Sequence, residues 1–259
     1  MKIDFSQPIT TYELIAIILA VLSLAIPAFK WLYNKYIKKA KIDFLPVGKI
    51  NLYFNRSGSY IYMGGTFDLK NKPANIKKIS ANIIRQSDNA TLELEWSTFK
   101  SPVFRQVAGN YESTFETAHP FIIPANSMYP CLVEFSNSKV NVNKEIDRVT
   151  TPYHIDLYKM LETNIPFEAS YNTAKNHPQY ADTKLSVSEY LFWKPGKYTI
   201  ILNTRYNDTD FNKKYKFTLT EKDCDSLKHN VDNILMAPID NHFKMPAFME
   251  IISKDYIDC

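Results

Sequence analysis

The stretch TTYELIAIILAVLSLAIPAFKWLYNKYIKKAK, residues 10–41, decides how the rest of the chain is interpreted. Residues 14–29 are uncharged and mostly apolar, and lysines follow directly after them. Extended to residues 12–33, the apolar run predicts a helix about 33 Å long, enough to cross a bilayer hydrocarbon core of about 30 Å. Thr10 and Glu13 have the spacing of a capping box, which marks the start of that helix.

Residues that favour a membrane interface flank this run. Tyr12 stands at its start, and an aromatic and basic segment follows its end. We predict that this segment lies at the membrane surface, where its lysines bind an anionic lipid bilayer with about 1 kcal/mol each. The predicted membrane-interface residues are Lys30, Trp31, Tyr33, Lys35, Lys38, Lys39 and Lys41.

The order of the charges sets the expected orientation. A cleaved signal peptide carries positive charge before its apolar run, whereas here the positive charge follows the run. A buried helix of a soluble protein is not normally apolar on every face and then abruptly basic. The positive-inside rule therefore predicts a single-pass protein of the cell inner membrane, with residues 1–11 outside and the bulk of the chain cytoplasmic.

A stripe of small residues follows one face of the predicted span. Ala16, Ala20, Ser23 and Pro27 lie at i, i+4, i+7 and i+11. Small residues at this spacing let helices approach closely in lipid, so the stripe would permit a homo-oligomer. The alternative is that alanine is simply common in spanning helices. Pro27 also predicts a kink or a local break in the helix.

Charge is concentrated at the membrane edge. The whole chain carries a formal net charge of +4, and residues 30–41 contain five lysines and no acid. Residues 42–259 contain 25 basic and 25 acidic side chains. Bulk charge therefore does not favour a nucleic-acid partner. The three cysteines, an odd number for a disulfide framework, fit a reducing compartment.

The residues after the anchor alternate between apolar and polar with a period of two, and turn-forming residues separate the alternating segments. The pattern predicts a mainly β fold, an antiparallel β-sandwich of immunoglobulin-like or jelly-roll-like type with a few short helices. The predicted strands are KINLYF (49–54), SYIYMGGTFDL (59–69), IKKISANIIR (76–85), TLELEW (91–96), FIIP (121–124), CLVEF (131–135), YTIILNTRY (198–206) and KYKFTLT (214–220). Gly64 and Gly65 predict a bulge or bend in the second strand.

The expected organisation has an anchor, a stalk, a sandwich and a tail. After the spanning helix at 12–33, residues 34–45 form a basic juxtamembrane stalk that continues the helix as far as Lys41. The sandwich occupies 46–220, with a short helix at 152–162 and a long polar loop at 166–184. Residues 221–259 form a helix, which begins with a capping pattern of Thr220 and Asp223, and then a packed tail.

We find no catalytic motif and therefore predict no enzymatic activity, no cofactor and no metal. Six glycines, none of them clustered at a strand–helix junction, do not form a phosphate-binding loop. Asp208, Asp210 and Asn212 imitate the start of a calcium loop. Lys213 replaces the required glycine, however, and Leu219 replaces the required glutamate.

One basic cluster is a candidate anion site. It lies in a turn and the strand after it, and the ligands it suggests are a lipid headgroup, a nucleotide signal or a nucleic-acid backbone. The alternative is that the lysines protect an edge strand, since alternation would place Lys77 and Lys78 on opposite faces. The members of the cluster are Lys70, Lys72, Lys77, Lys78 and Arg85.

Three functions agree with the sequence. The first is a non-enzymatic, membrane-anchored cytoplasmic β-sandwich that binds a protein partner or a signal at the inner membrane face. The second is a membrane-depolarising or permeabilising effector that acts by oligomerisation. This architecture is similar to that of effectors of prokaryotic antiviral defence, although the likeness rests on no motif. The third is an extracytoplasmic domain behind an uncleaved signal anchor, which requires the opposite orientation.

Overall fold

The computed structural model describes residues 10–107, 110–137, 141–246 and 248–258, with the backbone alone for 100–107 and 110–114. The described part is mainly antiparallel sheet with five α-helices. The helices are α1 (Thr11–Leu32), α2 (Val142–Leu161), α3 (Phe167–Lys175), α4 (Tyr180–Ser188) and α5 (Glu221–His242). The strands are β1 (Lys41–Asn55), β2 (Gly58–Lys70), β3 (Ala74–Arg85), β4 (Thr91–Val107), β5 (Asn110–Thr117), β6 (Phe121–Ile123), β7 (Ser127–Ser136), β8 (Gly196–Tyr206), β9 (Thr209–Leu219), β10 (Ile252–Lys254) and β11 (Ile257–Asp258).

The N-terminal helix begins where the capping box predicts. The Thr10 hydroxyl accepts a hydrogen bond from the Glu13 amide, and the Glu13 carboxylate accepts one from the Thr10 amide. Helical backbone continues through a π-helical turn, Tyr33–Ile37, and ends at Lys38, which is extended. The prediction that the helix reaches Lys41 is therefore wrong for its last four residues, because β1 already begins at Lys41 and pairs with β2.

The strands form one curled antiparallel sheet in the order β10-β1-β2-β7-β4-β3-β8-β9-β11, with β5 paired to β4 and β6 to β3. Curling brings β1 and β9 together. The Lys213 ammonium on β9 donates to the Phe44 carbonyl at 2.9 Å and to the Asp43 carboxylate at 3.0 Å. The Tyr215 hydroxyl donates to the same carbonyl at 3.3 Å. The eight predicted strands are all present, and the mainly β sandwich prediction is confirmed.

Alternation places one face of each long strand in a shared core. On β2 the inward residues include Ile61, Met63 and Phe67, each at most 1% exposed. Gly65 also faces inward, and a Cβ there would lie 2.1 Å from the Phe44 ring, so only glycine fits. The predicted bulge lies on the partner strand instead, because the pairing shifts between Val47 and Asn51 of β1 while β2 pairs regularly with β7.

The helices α2 to α5 pack together beside the sheet, and α5 contacts β1. The predicted polar loop at 166–184 is wrong, because α3 and α4 occupy most of it. Their buried positions are small or short side chains: Ser170 and Ala174 on α3, and Thr183 and Val187 on α4. Such residues give a weak apolar stripe, which is why the helical period is difficult to detect in the sequence.

The C-terminal tail crosses the line where β1 and β9 meet. Its β10 pairs with residues 50–52 of β1, and its β11 pairs with residues 215–216 of β9. Asn230 on α5 holds the tail before it reaches the sheet. This side chain is 2% exposed, donates to the Glu250 carbonyl at 2.9 Å and accepts from the Glu250 amide at 2.8 Å. Asn230 therefore fixes the tail at Glu250, although Phe248, Ile251 and Ile257 of the tail remain exposed.

Candidate functional site: the membrane anchor and a tyrosine–glutamate pocket

The N-terminal helical segment, Thr11–Ile37, has a mean hydropathy of 2.2 over its most apolar window, and none of that window is buried in the protein. Length and composition therefore allow it to span a membrane. A helix from a soluble core would bury one face, and this helix buries no residue in the described structure.

Aromatic and basic side chains group around the end of the span. The Lys35 ammonium lies 4.7 Å from the centre of the Trp31 ring and 5.3 Å from that of Tyr36. The Trp31 and Tyr36 rings meet edge to face at 6.4 Å. Lys30 and Tyr33 are exposed beside this group. The sequence prediction omitted Tyr36, although it occupies the next turn after Trp31 and could have been found from that spacing.

The small-residue stripe lies on unbroken helix. Ala16, Ala20, Ser23 and Pro27 are all exposed within α1. The Ser23 hydroxyl donates to the Ala20 carbonyl at 2.7 Å, so its hydrogen-bonding group is satisfied within the helix and does not require a neighbouring helix. The self-association predicted for this stripe stays a prediction.

The end of the sheet nearest the anchor is tied to the anchor's exit. The Lys72 ammonium donates to the Lys35 carbonyl at 2.7 Å, and the Asn71 amide group donates to the Lys39 carbonyl at 3.1 Å. We call residues 70–73, 124–126 and 207–208 the stalk-side turns. Asn126 accepts from the Asn71 amide, and Asn207 accepts from the Asn75 amide, each at 2.9 Å.

Asparagine suits these turns for a conformational reason. Asn71, Asn126, Asn207 and Asp208 all have positive φ, a region that Asn and Asp tolerate better than other non-glycine residues. The Asn126 side chain then bonds the Asn71 amide, and the Asn207 side chain bonds the Pro73 carbonyl, each in another of these turns. The stalk-side turns thereby form one connected surface next to Lys38, Lys39 and Lys41.

The five residues of the predicted anion cluster do not converge on one point. Lys70 pairs with Asp68 at 3.4 Å, Lys77 with Asp208 at 2.6 Å, and Lys78 with Glu95. Lys77 and Lys78 are both exposed because the pairing of β3 shifts between residues 76 and 78. Lys72 lies at the stalk-side turns and donates to the Lys35 carbonyl.

Arg85 has a structural role at the other end of β3, eight residues after Lys77. Its guanidinium is buried and makes a bidentate pair with Asp88, with distances of 2.9 and 2.7 Å. It also donates to the Phe192 carbonyl at 2.5 Å. The Arg85 guanidinium holds the pKa of the Asp88 carboxyl at about 2, chiefly through their hydrogen bond. The cluster therefore divides into separate local pairs.

A pocket of about 240 Å³ lies on the outer face of β1, β2 and β7. We call it the tyrosine–glutamate pocket. It is lined by Asn51, Tyr53, Tyr62, Phe115, Glu134, Met249 and Ile251. The Tyr53 hydroxyl donates to Glu134 Oε2 at 2.5 Å, and the Ser97 and Thr98 hydroxyls donate to Glu134 Oε1 at 3.1 and 3.2 Å. A half-buried carboxylate is therefore held by three hydroxyl groups.

A second pocket, of about 260 Å³, lies between the end of β1, α2, α5 and the tail. His154 lines it together with Asn230, Ile234 and Phe248. His154 Nε2–H donates to the Ile234 carbonyl at 3.1 Å, and burial lowers the pKa of the imidazole. These contacts make His154 a neutral packing residue that joins α2 to α5.

The cysteines of the described residues are structural. Cys131 and Cys224 are free and buried, and burial raises their thiol pKa to about 12 and about 11, respectively. Cys259 lies outside the described residues. Over the part of the chain that the structure describes, no three His, Cys, Asp or Glu side chains group as metal ligands would.

Sequence reasoning missed the tyrosine–glutamate pocket. The segment NLYFNRSGSYIYM places Tyr53, Tyr60 and Tyr62 on the outer face of a hairpin through simple alternation, which was a usable signal. Glu134 comes from β7, which lies next to β2 in the sheet, and strand order could not be read from the sequence.

Comparisons with known proteins give no functional assignment. No protein-family model matches the chain, and no curated protein matches it. The chain is weakly similar to a family 123 glycoside hydrolase from Clostridium perfringens, with 9% identity and a TM-score of 0.28, covering 65% of this chain and 22% of that one. It is weakly similar to the sporulation control protein Spo0M from Bacillus subtilis, with 8% identity and a TM-score of 0.28, covering 74% and 56%. The chain thus spans less than two thirds of either protein, and neither likeness carries an argument.

Proposed function

We propose that this chain is a non-enzymatic membrane-anchored protein whose β-sandwich binds a partner or signal at the cytoplasmic face of the cell inner membrane. The observation that carries the proposal is the unburied apolar helix α1, followed directly by a basic exit that the stalk-side turns hold in place. An apolar helix that the protein does not cover is stabilised by lipid.

The charge distribution supports the cytoplasmic placement. Lys35, Lys38, Lys39 and Lys41 lie on the domain side of the span, where the positive-inside rule counts them. Lys72 adds a cation on the domain itself, next to the Lys35 carbonyl. An anionic leaflet on the cytoplasmic side would attract this surface and hold the sandwich close to the bilayer.

The buried thiols support the same placement. Cys131 and Cys224 lie too deep in the fold to react readily, and they are unpaired, as thiols are in a reducing compartment. The binding role rests on the open pocket on the outer face of the sheet, which is lined by apolar and hydroxyl-bearing side chains around one carboxylate.

Two experiments test the anchor and its orientation. Alkaline carbonate should leave the full chain in the membrane pellet, and extraction into the supernatant would refute the anchor.

For orientation, Lys175→Cys in a Cys259→Ser background places a single reactive thiol on the exposed surface of α3, because Cys131 and Cys224 are buried. A membrane-impermeant maleimide should label it only after permeabilisation. Labelling in intact cells would place the domain outside, and Thr11→Cys in the same background is the matched variant expected to label in intact cells.

A further inference from the structure

A row of polar side chains crosses the sheet face on which the tyrosine–glutamate pocket lies, and the same face carries apolar side chains that cover part of it. Ser253, Asn51, Tyr62, Glu134 and Thr98 occupy successive partner positions on β10, β1, β2, β7 and β4. All of them point away from the core, because alternation directs their neighbours inward. The cover comes from Phe115, Met249 and Ile251.

This cover withdraws the row from water. Tyr53 faces outward on β1, yet it is only 8% exposed, because it stacks on Tyr60 with ring centres 4.8 Å apart and donates to Glu134. Glu134 is half-buried. A carboxylate in this setting is stabilised less by water than one on an open surface, so its charge favours a compensating partner.

The hydroxyl groups around Glu134 do not neutralise it. Tyr53, Ser97 and Thr98 each donate one hydrogen bond, which leaves the carboxylate its negative charge and one free acceptor position. Among the side chains that the structure describes, no lysine, arginine or histidine forms a hydrogen bond or ion pair with Glu134. Among the described residues that line the pocket, Glu134 is the one acidic or basic side chain.

Tyr62 supplies a second polar group that awaits a partner. Its hydroxyl is buried and makes no hydrogen bond, although the ring lies beside Glu134 in the row. Burial, and then the charge of Glu134, raise the pKa of Tyr62, so the phenol stays neutral. A neutral phenol oxygen can accept a hydrogen bond from an N–H group, and an unmet hydroxyl of this kind is costly without one.

The remaining wall of the pocket is apolar. Met249 and Ile251 come from the tail, and Phe115, which is 60% exposed, comes from β5. Aliphatic and aromatic side chains here can cover the carbon stem of a ligand whose charged end reaches the carboxylate. Tyrosine rings next to a carboxylate are also a common surrounding for ammonium and guanidinium groups.

We propose that the tyrosine–glutamate pocket binds an organic cation with an apolar stem, the chemistry of a lysine or arginine side chain. The cationic N–H groups bond to the free acceptor position of Glu134 and to the Tyr62 hydroxyl, and the stem packs on Met249, Ile251 and Phe115. The proposal names the ligand class of the binding domain, so it rests on the binding role given to the sandwich under the proposed function. It does not depend on the membrane anchor, because the anchor takes no part in binding the cation.

The test uses the full chain in neutral detergent, with the methionine methyl groups labelled with ¹³C for NMR. The probes are N-acetyl-lysine amide and N-acetyl-arginine amide, and N-acetyl-norleucine amide is the uncharged control. We expect a charged probe to shift the Met249 methyl resonance in a saturable manner and to leave that of Met63, which is buried in the core, unchanged. Equal shifts with norleucine amide, or no shift with either cation, would overturn the proposal.

Variants identify the groups responsible. Glu134→Gln keeps the size of the side chain and one acceptor oxygen but removes the charge, and should weaken binding at least tenfold. Tyr62→Phe removes the unpartnered hydroxyl and should weaken binding about threefold. This variant leaves no other group without a hydrogen-bond partner. It therefore keeps the test valid if Glu134→Gln fails to fold. Glu189→Gln, on the exposed end of α4, makes the same charge change elsewhere and should have no effect. Unchanged affinity in both pocket variants would refute the site.

A final comparison separates two sources of the cation. Tighter binding of the tripeptide Gly-Lys-Gly than of n-butylammonium assigns the pocket to a protein partner, and equal binding assigns it to a free amine. Either assignment holds only if the probe shifts the Met249 methyl resonance as N-acetyl-lysine amide does. The anchor experiments are independent, so a failure there leaves the binding measurement interpretable.

Discussion

Two helices of this protein have the same length and the same local design but opposite surroundings. Both α1 and α5 contain 22 residues, begin with a threonine in a capping box and include an internal proline. Helix α5 buries nine residues against the sheet and its neighbouring helices, whereas α1 buries none. Capping therefore fixes where a helix starts, and the distribution of apolar residues around it decides whether protein or lipid covers it.

A charge in the middle of each helix should have the largest effect and should separate the two surroundings. Leu22→Arg places a cation at the centre of α1, which opposes membrane insertion by about 3 kcal/mol. Leu235→Arg buries an unpaired charge in the α5 interface, where Leu235 is fully buried, and should cost more than about 4 kcal/mol of folding free energy. Membrane fractionation and protease resistance of the domain check the two effects.

Each variant should fail in only one of those assays. Leu22→Arg should lose membrane association and keep a protease-resistant domain, and Leu235→Arg should do the reverse. If Leu22→Arg also destabilised the domain, α1 would have a protein contact, and the contrast between the helices would be lost.

Loss of the Asn230 side chain should have the next largest effect on stability, because this side chain of α5 holds the tail through two hydrogen bonds. Asn230→Ala leaves the Glu250 amide and carbonyl without their partner and should lower the free energy of unfolding by about 1–3 kcal/mol. Chemical denaturation measures the loss, and limited proteolysis should show earlier cleavage within 244–258. Asn233→Ala is the matched control and should have a smaller effect, because it removes an exposed bond to the Phe248 carbonyl at 3.0 Å and a long bond to Asn230 Oδ1 at 3.4 Å.

Removal of each cap compares the two helix starts directly. Thr220→Ala loses the two hydrogen bonds of the Thr220 hydroxyl, from the Asp223 amide and to the Asp223 carboxylate, and should lower the free energy of unfolding by about 1 kcal/mol. Thr10→Ala makes the same change at α1 and should leave unfolding of the domain unaltered. Equal losses in the two variants would contradict the independence of α1.

Acid should weaken the packing of α5 on α2 through His154. Burial lowers the pKa of this imidazole in the folded state, so the unfolded state takes up a proton first. Stability is then unaffected well above about pH 6.5 and falls as the pH drops from there through the lower folded-state pKa. Denaturation of the wild type and of His154→Gln at several pH values tests this, with His229→Gln on the exposed face of α5 as the control. A slope that persists in His154→Gln would assign the effect to another group.

Substitutions in the small-residue stripe of α1 should have the smallest effect, because they should leave the stability of the domain unchanged. Ala16→Leu with Ala20→Leu fills the stripe with larger side chains, and Ile17→Leu with Val21→Leu changes the neighbouring face at nearly constant volume. If the permeabilising hypothesis holds, only the first pair abolishes dye leakage during overexpression in cells that show it for the wild type. Equal leakage from both pairs would contradict a role for the stripe.

Local patterns predicted most of the elements of the fold. Both capping boxes, the apolar span and all eight predicted strands lie in the structure where composition and alternation place them. These features depend on neighbours within a few residues of the same chain, which is the range over which a sequence pattern is direct evidence.

The longer form of α2 was not predictable in this way. Its start at residue 142 was missed because Pro152 normally marks the beginning of a helix. In the structure α2 runs through this proline. The Thr150 and Thr151 hydroxyls donate to the carbonyls of Ile146 and Asp147 one turn earlier, a use of threonine that propensity does not reveal.

The tyrosine–glutamate pocket needed information that only the assembled sheet contains. Tyr53 and Tyr62 share a face through alternation, but Glu134 and Met249 reach them from β7 and from the tail, 72 or more residues away along the chain. Contacts of this kind depend on strand order and on the path of the tail, and neither of these produces a local pattern in the sequence.

The crossing of the tail from β1 to β9 has a consequence for how copies of the protein would meet on a bilayer. Copies anchored as proposed would diffuse in two dimensions, where an uncovered row of amide and carbonyl groups would meet an identical row far more often than in free solution. The tail covers part of each border, because β10 pairs with residues 50–52 of β1 and β11 pairs with residues 215–216 of β9. Pairing by the tail should therefore oppose edge-to-edge association of neighbouring copies at these residues.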